Sequence, residues 1–172
     1  MFCIGTLIAR LSEMAYPLCS FIHRMTPLEL VLVYRAYVES RVVSPELERR
    51  VCNYIRFRSG ELNGSTALSL LFCYSRGVEL SKRNLQKDVI SILCDEIHRS
   101  LPHYSTRDLV YLVCAFNHLR LFPEQDIDVI ACKLTPHVPD LSPKECFYLL
   151  TCVNRARYKS PIPFILARLP RP

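Results

Sequence analysis

The segment Thr26-Pro-Leu-Glu-Leu-Val-Leu-Val-Tyr-Arg-Ala-Tyr37 decides the fold, because its pattern occurs three more times along the chain. Without a gap it aligns with Asn63-Gly-Ser-Thr-Ala-Leu-Ser-Leu-Leu-Phe-Cys-Tyr74, Ser105-Thr-Arg-Asp-Leu-Val-Tyr-Leu-Val-Cys-Ala-Phe116 and Ser142-Pro-Lys-Glu-Cys-Phe-Tyr-Leu-Leu-Thr-Cys-Val153. The four copies begin 37, 42 and 37 residues apart. A period of this size is typical of stacked helical hairpins. The sequence therefore predicts an all-α fold, an α-solenoid of about four helical-hairpin repeats of roughly 37–42 residues.

Each copy opens on a residue that can cap the N-terminus of a helix. These residues are Thr26, Asn63, Ser105 and Ser142. The residues three positions later are Glu29, Thr66, Asp108 and Glu145. A hydroxyl followed at this distance by a carboxylate is typical of a capping box, in which each side chain bonds to the other residue's backbone N–H. We predict that a helix, here called helix A of its repeat, begins after each cap.

A second helix, here called helix B, is predicted to follow each helix A after a short turn. Its predicted bounds are residues 46–57, 83–100, 124–134 and 162–169. The second repeat is five residues longer than its neighbours, and we expect these residues to lengthen its helix B. Residues 7–16 are predicted to be the second helix of a partial unit. One domain, 1–172, then contains the partial unit 1–25 and repeats 26–62, 63–104, 105–141 and 142–172.

Two aligned columns indicate how the helices pack. Ten residues after the caps stand small side chains, Ala36, Cys73, Ala115 and Cys152, and the next column contains Tyr37, Tyr74, Phe116 and Val153. Small residues at one level predict a close approach of a neighbouring backbone, and the bulky column supplies the core. Helix A is apolar on most sides, so we expect burial between neighbours. Neither end shows a polar capping repeat, so we expect one or both ends to meet another subunit.

Composition excludes several classes of function. The four glycines provide no phosphate-cradling loop, and no apolar run approaches the roughly 18 residues that span a bilayer, so we expect no membrane partner. The nine cysteines include no Cys-x-x-Cys pair, which argues against a metal site. We interpret them as small core residues in a reducing compartment. Those on predicted apolar helix faces are Cys52, Cys73, Cys94, Cys114, Cys132, Cys146 and Cys152.

Positive charge is concentrated near the end of the chain. Residues 141–172 contain six basic residues and one acidic residue, which is +5 of the net +6. Basic residues also fall at the predicted turns between helices A and B. The candidate RNA-binding residues are Arg41, Arg76, Arg120, Arg155, Arg157, Tyr158 and Lys159. Arginine and lysine can neutralise phosphates and a tyrosine ring can stack on a base, although arginine at a helix C-terminus also complements the helix dipole.

The column twelve residues after the caps offers a weaker alternative, in which each repeat contacts one base. It contains Val38, Ser75, Asn117 and Asn154, so only two of its four members are amides. Scattered histidines and the absence of nucleophile or phosphate-binding motifs argue against an enzyme. We therefore predict no catalytic residues, no cofactor and no small-molecule substrate.

The pattern of cap, acid, apolar block, small residue and aromatic resembles the organellar helical repeats called heptatricopeptide and octotricopeptide repeats. It also resembles the helical region of FAST-kinase-like and RAP-domain proteins. The resemblance covers Thr26 to Leu169. It implies a mitochondrial RNA-binding protein, most simply a mitochondrial ribosome component that contacts rRNA and neighbouring proteins. The alternative is a protein–protein scaffold of armadillo-like type with no RNA contact.

Overall fold

The computed structural model describes residues 13–14, 17–42, 44–81 and 86–156, and every regular element in these ranges is a helix. The predicted all-α class is therefore confirmed. The longer helices are α1 (Pro27–Glu39), α2 (Pro45–Phe57), α3 (Gly64–Ser81), α4 (Lys87–Ser100), α5 (Thr106–Leu119), α6 (Glu124–Leu134) and α7 (Pro143–Arg155). Short 3-10 helices are Ile22–Arg24, Ser59–Glu61, Leu101–His103 and Thr135–Asp140. The chain divides into two compact units, Met1–Ile97 and His98–Pro172.

All four predicted helix caps form. The Glu29 carboxylate accepts a hydrogen bond from the backbone N–H of Thr26 at 2.8 Å, and the Thr26 hydroxyl accepts one from the N–H of Glu29 at 3.3 Å. The same capping box occurs at the start of α5 and of α7. At the start of α3, the Asn63 side chain accepts from the N–H of Thr66 at 2.9 Å. These local bonds explain why each helix A begins where the sequence predicts.

In the first unit, α1 packs against α3, and α2 is tied to the segments on either side of it. The Tyr54 hydroxyl of α2 donates to the backbone carbonyl of Met25 at 3.0 Å. The Arg56 guanidinium reaches both the Asp88 carboxylate and the Gln86 amide oxygen at 2.5 Å. Arg56 is partly buried and Asp88 is exposed, and this charge-assisted pairing joins α2 to the beginning of α4.

In the second unit, α5 packs against α7 and α6 contacts both of them. His98 Nδ1 lies 2.5 Å from a carboxylate oxygen of the buried Asp126 on α6. The Lys133 ammonium donates to the backbone carbonyls of Leu101 at 3.3 Å and Pro102 at 2.5 Å. These bonds attach α6 to the chain segment that precedes α5.

The bulky column forms part of the core as predicted. Its members Tyr37, Tyr74, Phe116 and Val153 are all at most 2% exposed. In the small column, Cys73, Ala115 and Cys152 are buried, whereas Ala36 is exposed. The expectation that helix A is buried between neighbours is therefore met only in part by α1, which buries one side and leaves the face with Leu28, Leu32 and Ala36 in solvent.

Helix lengths in the second repeat differ from the prediction. Helix α4 begins at Lys87, whereas α3 continues to Ser81 and spans 18 residues, against 13 for α1. Within the described ranges, most of the extra length thus lies in helix A, although helix B of this repeat, α4 with 14 residues, is also longer than α2 with 13 and α6 with 11. The predicted helices at residues 7–16 and 162–169 lie largely or wholly outside the described residues.

The cysteines mostly behave as core residues. Cys52, Cys73, Cys146 and Cys152 are buried, and Cys94 and Cys114 are half-buried. Cys132 is exposed, which corrects its predicted place on an apolar face. The buried face of α6 is formed by Ile127, Ile130, Ala131 and Leu134, and Cys132 lies on a different side of the helix.

Candidate nucleic-acid interface

Two of the candidate arginines occupy the same unusual backbone position. Arg41 and Arg120 both have φ of 56°, which is the left-handed region that glycine normally fills. The N–H of Arg41 donates to the carbonyl of Val38 at 3.1 Å, and the N–H of Val42 donates to Tyr37 at 3.0 Å. This pair of bonds is the Schellman motif that ends a helix.

The end of α5 repeats this geometry. The N–H of Arg120 donates to the carbonyl of Asn117 at 3.2 Å, and the N–H of Leu121 donates to Phe116 at 2.9 Å. Arg41 and Arg120 both stand fifteen residues after their caps. The two residues that align in sequence therefore also have the same backbone conformation at the turn between helices A and B.

Both side chains are available to a partner. Arg41 and Arg120 are exposed, and neither guanidinium forms a salt bridge with any of the described residues. Neighbouring arginines differ in this respect: Arg35 pairs with Glu39 at 2.7 Å, and Arg49 pairs with Glu46 at 2.7 Å. Because no carboxylate of the described residues neutralises Arg41 or Arg120, their charge can act on an anionic ligand.

A third arginine meets the turn that follows α5. The Cζ atom of Arg155, at the end of α7, lies 5.3 Å from the centre of the Phe122 ring. Phe122 is two residues after Arg120, so the fold brings this turn and Arg155 together within the second unit. Phe122 was not among the residues predicted from sequence, although an aromatic residue beside an arginine in a turn is a recognisable feature of RNA-binding surfaces.

Arg76 does not lie at a turn. Because α3 continues to Ser81, Arg76 is inside the helix, with its Cζ atom 5.9 Å from the ring centre of Phe72 one turn earlier. Its side chain is exposed. The prediction that Arg76 lies at the turn between helices A and B is therefore corrected. Arg157, Tyr158 and Lys159 lie outside the described residues.

The alternative of one base per repeat does not fit the column twelve residues after the caps. Val38 and Ser75 are buried. The Asn117 amide donates to the carbonyls of Val113 at 3.1 Å and Tyr148 at 2.8 Å. This column therefore serves packing between helices, and only Asn154 is exposed.

The part of the chain that the structure describes contains neither a metal site nor a membrane-spanning helix. No group of three or more histidine, cysteine or acidic side chains there could hold a metal ion. None of the helices there combines the length and the apolar character that crossing a bilayer requires. Comparison with protein-family models and with curated proteins gives no match to this chain.

Proposed function

We propose that this chain is a non-catalytic helical-repeat protein that binds RNA through exposed arginines at the ends of its A helices. Arg41, Arg120 and Arg155 would each neutralise a phosphate, and Arg157, Tyr158 and Lys159 would contribute further contacts to RNA. The family resemblance suggests the setting, a mitochondrial ribonucleoprotein with the mitochondrial ribosome as the favoured assembly and rRNA as the favoured ligand.

The observation that carries this proposal is the pair of left-handed arginines. A residue with a β-carbon in this conformation costs about 1 kcal/mol relative to glycine. Arg41 and Arg120 both accept this cost at equivalent turns, and both present a charge to solvent without an acidic partner among the described residues. A side chain that is unfavourable for the backbone and unused in packing is a good candidate for ligand binding.

We also propose that the hairpins form a solenoid of about four repeats. The pairs α1–α3 and α5–α7 support this arrangement, because in each pair positions 8 and 12 after the cap of one A helix lie against the next A helix. A solenoid would repeat the turn between helices A and B along one edge. An extended phosphate backbone could follow that edge.

A salt titration of single-stranded RNA binding tests the proposal. Removing one arginine that neutralises a phosphate should make the slope of log K against log salt shallower by about 0.7. We expect this change for Arg120→Ala, and a change of about 2 for the triple variant Arg41→Ala, Arg120→Ala, Arg155→Ala. Charge reversal of Arg155, Arg157 and Lys159 should reduce the slope most strongly.

Arg49→Ala is the matched control, because Arg49 is an exposed arginine already paired with Glu46. It should leave the slope unchanged. An equal effect of Arg49→Ala and Arg120→Ala would indicate non-specific attraction to positive charge and contradict the assigned surface. Cosedimentation of the tagged chain with mitochondrial ribosomal subunits tests the proposed assembly separately.

A scaffold without RNA contact is the second candidate. It is favoured by apolar side chains that are exposed on the A helices, among them Leu32 at 59% exposure and Phe147 at 64%. RNA binding that is absent at every salt concentration, together with stable protein partners, would favour the scaffold over the RNA-binding proposal.

A further inference from the structure

Where two consecutive A helices pack together, the first helix contributes one face and the second helix contributes a different face. The pairs α1–α3 and α5–α7 define these two faces. The forward face consists of positions 5, 8 and 12 after the cap, and the backward face consists of positions 6 and 10. In the α5–α7 pair, the Cys152 thiol donates to the Val113 carbonyl at 3.7 Å, and the Asn117 amide donates to the Tyr148 carbonyl at 2.8 Å. The forward face of α5 thus packs on the backward face of α7.

The α1–α3 pair has the same arrangement. A β-carbon on Gly77 would lie 2.9 Å from the Tyr34 hydroxyl and 3.8 Å from a methyl group of Val38. Tyr34 and Val38 belong to the forward face of α1, and Gly77 is one turn after the backward face of α3. Both pairs therefore join a forward face to the backward side of the next A helix.

The forward face of α7 is open. Phe147 stands five residues after its cap and is 64% exposed, whereas its equivalents Val31 and Val110 are 7% and 9% exposed. Asn154, at position 12, is exposed as well. A phenylalanine in solvent at a position that is otherwise buried against the next helix indicates a surface that a partner covers.

The backward face of α1 is open in the same way. Leu32 is 59% exposed whereas its equivalent Tyr148 is half-buried, and Ala36 is exposed although its equivalent Cys152 is buried. Leu28 stands four positions before Leu32 and is 61% exposed, so the three residues form one apolar stripe along α1. Among the described residues, the first unit thus has an open backward face and the second unit has an open forward face.

The charges beside the two open faces are also complementary. In the α5–α7 pair, Arg107 and Glu145 attract each other. Local hydrogen bonds are the main cause of the raised pKa of Arg107 and of the lowered pKa of Glu145, and the charge of the partner shifts each pKa further in the same direction. The equivalent of Arg107 in α7 is Lys144, and the equivalent of Glu145 in α1 is Glu29. An α7–α1 contact would therefore place Lys144 near Glu29.

We propose that a second copy of the chain covers these faces, with the forward face of α7 in one copy packed on the backward face of α1 in the next. The contact repeats between molecules the packing that α5–α7 shows within one molecule. Because the two faces differ, association is head to tail and can grow beyond a dimer or close into a ring. Association of this kind does not require RNA.

Analytical ultracentrifugation of the full chain without RNA tests the proposal. The wild-type mass should rise with protein concentration. Phe147→Asp and Leu32→Asp should each block one face and raise the dissociation constant by about thirtyfold or more, since each buries a charge at the centre of the contact. Lys144→Glu should weaken association by placing two acids together.

Mixing the two blocked variants provides the decisive measurement. Each should be monomeric alone, but a mixture should form a 1:1 dimer and nothing larger, because one forward face and one backward face remain intact. Phe57→Asp is the matched control, since Phe57 is 84% exposed on α2 and lies on neither face. Circular dichroism confirms folding of each variant. A wild-type chain that stays monomeric, or a mixture that does not dimerise, overturns the proposal.

Discussion

At the scale of single residues, two of the A helices end through a left-handed residue fifteen positions after the cap. Arg41 and Arg120 adopt this conformation, and α1 and α5 stop just before them. The second repeat has Val78 at this position, and its backbone stays helical. A β-branched residue is strongly disfavoured in the left-handed region, so the ending that α1 and α5 share is disfavoured at this point of the second repeat. Helix α3 continues to Ser81.

Replacing either left-handed arginine by glycine should stabilise the protein. Arg120→Gly removes the conformational cost of a β-carbon and should raise the free energy of unfolding by about 0.5–1 kcal/mol, measured by urea denaturation. The same variant should weaken RNA binding in the salt titration. A stabilised protein with reduced affinity would separate the backbone role of the residue from its role in binding.

Arg76→Gly is the matched control, because Arg76 lies inside α3. Glycine in a helix interior should lower the free energy of unfolding by about 1 kcal/mol, the opposite sign. If Arg120→Gly also destabilises the protein, the left-handed assignment at the end of α5 is wrong.

At the scale of helices, the α1–α3 contact depends on the absence of one side chain. The Tyr34 hydroxyl is buried with no hydrogen-bond partner among the described residues, and it occupies the space that a β-carbon on Gly77 would need. Beyond the hydroxyl, the nearest atoms to that β-carbon are 3.8 Å away, which is ordinary contact. In this pair the two helices therefore approach closely at Gly77, one turn after the small-column residue Cys73.

The sign of the Gly77→Ala effect should depend on residue 34. In the wild type, crowding against the Tyr34 hydroxyl should outweigh the gain in helix propensity, so the free energy of unfolding should fall by about 1 kcal/mol. In a Tyr34→Phe background, the crowding atom is absent, and Gly77→Ala should stabilise by about 1 kcal/mol. Tyr34→Phe alone should be neutral or stabilising, since it removes an unpaired buried polar group.

Urea denaturation of the double-mutant cycle measures this coupling. Gly60→Ala serves as control, because no described atom lies within 4 Å of a β-carbon at that position, and its effect should be independent of residue 34. Equal effects of Gly77→Ala in both backgrounds would show that the hydroxyl is not the obstacle.

At the scale of the whole molecule, buried thiols are distributed through both units. Burial raises the pKa of Cys52 and of Cys152 to about 12 and that of Cys73 to about 11. Protonated thiols in a packed interior are poor nucleophiles. These cysteines therefore serve packing, and among the described cysteines reactivity in the native state should be concentrated at exposed Cys132.

These raised pKa values predict a loss of stability in alkali. Cysteines in the unfolded chain ionise near their ordinary pKa of 9.0, whereas the buried thiols remain protonated. The unfolded state thus binds fewer protons above that pH, and the free energy of unfolding falls as pH rises. The slope should approach about 1.4 kcal/mol per pH unit for each buried thiol. Urea denaturation at pH 8, 9 and 10 measures it.

Cys152→Ala should make this pH dependence shallower, and Cys132→Ala should change it less, because Cys132 is largely exposed. Stability that is constant or rises between pH 8 and pH 10 would contradict the assignment of these thiols to the core.

The helical class, the four caps, and the bounds of α2 and α6 to within a residue could be predicted from the order of the amino acids. These features depend on local bonds between residues three or four positions apart, such as Thr26 with Glu29, and on a periodic apolar pattern. Local interactions of this kind are visible in the order of the residues alone.

Which of the aligned positions are buried and which are exposed depends on how the helices pack, and the repeat pattern alone does not predict it. Cys132 is exposed, the Asn117 amide is used between α5 and α7, and Phe147 is left in solvent although the other members of its column are buried. The physical reason is that burial depends on which distant helix lies opposite a side chain. A repeat pattern predicts the same buried face for every copy, whereas in the folded chain some of these faces pack on another helix and others remain exposed.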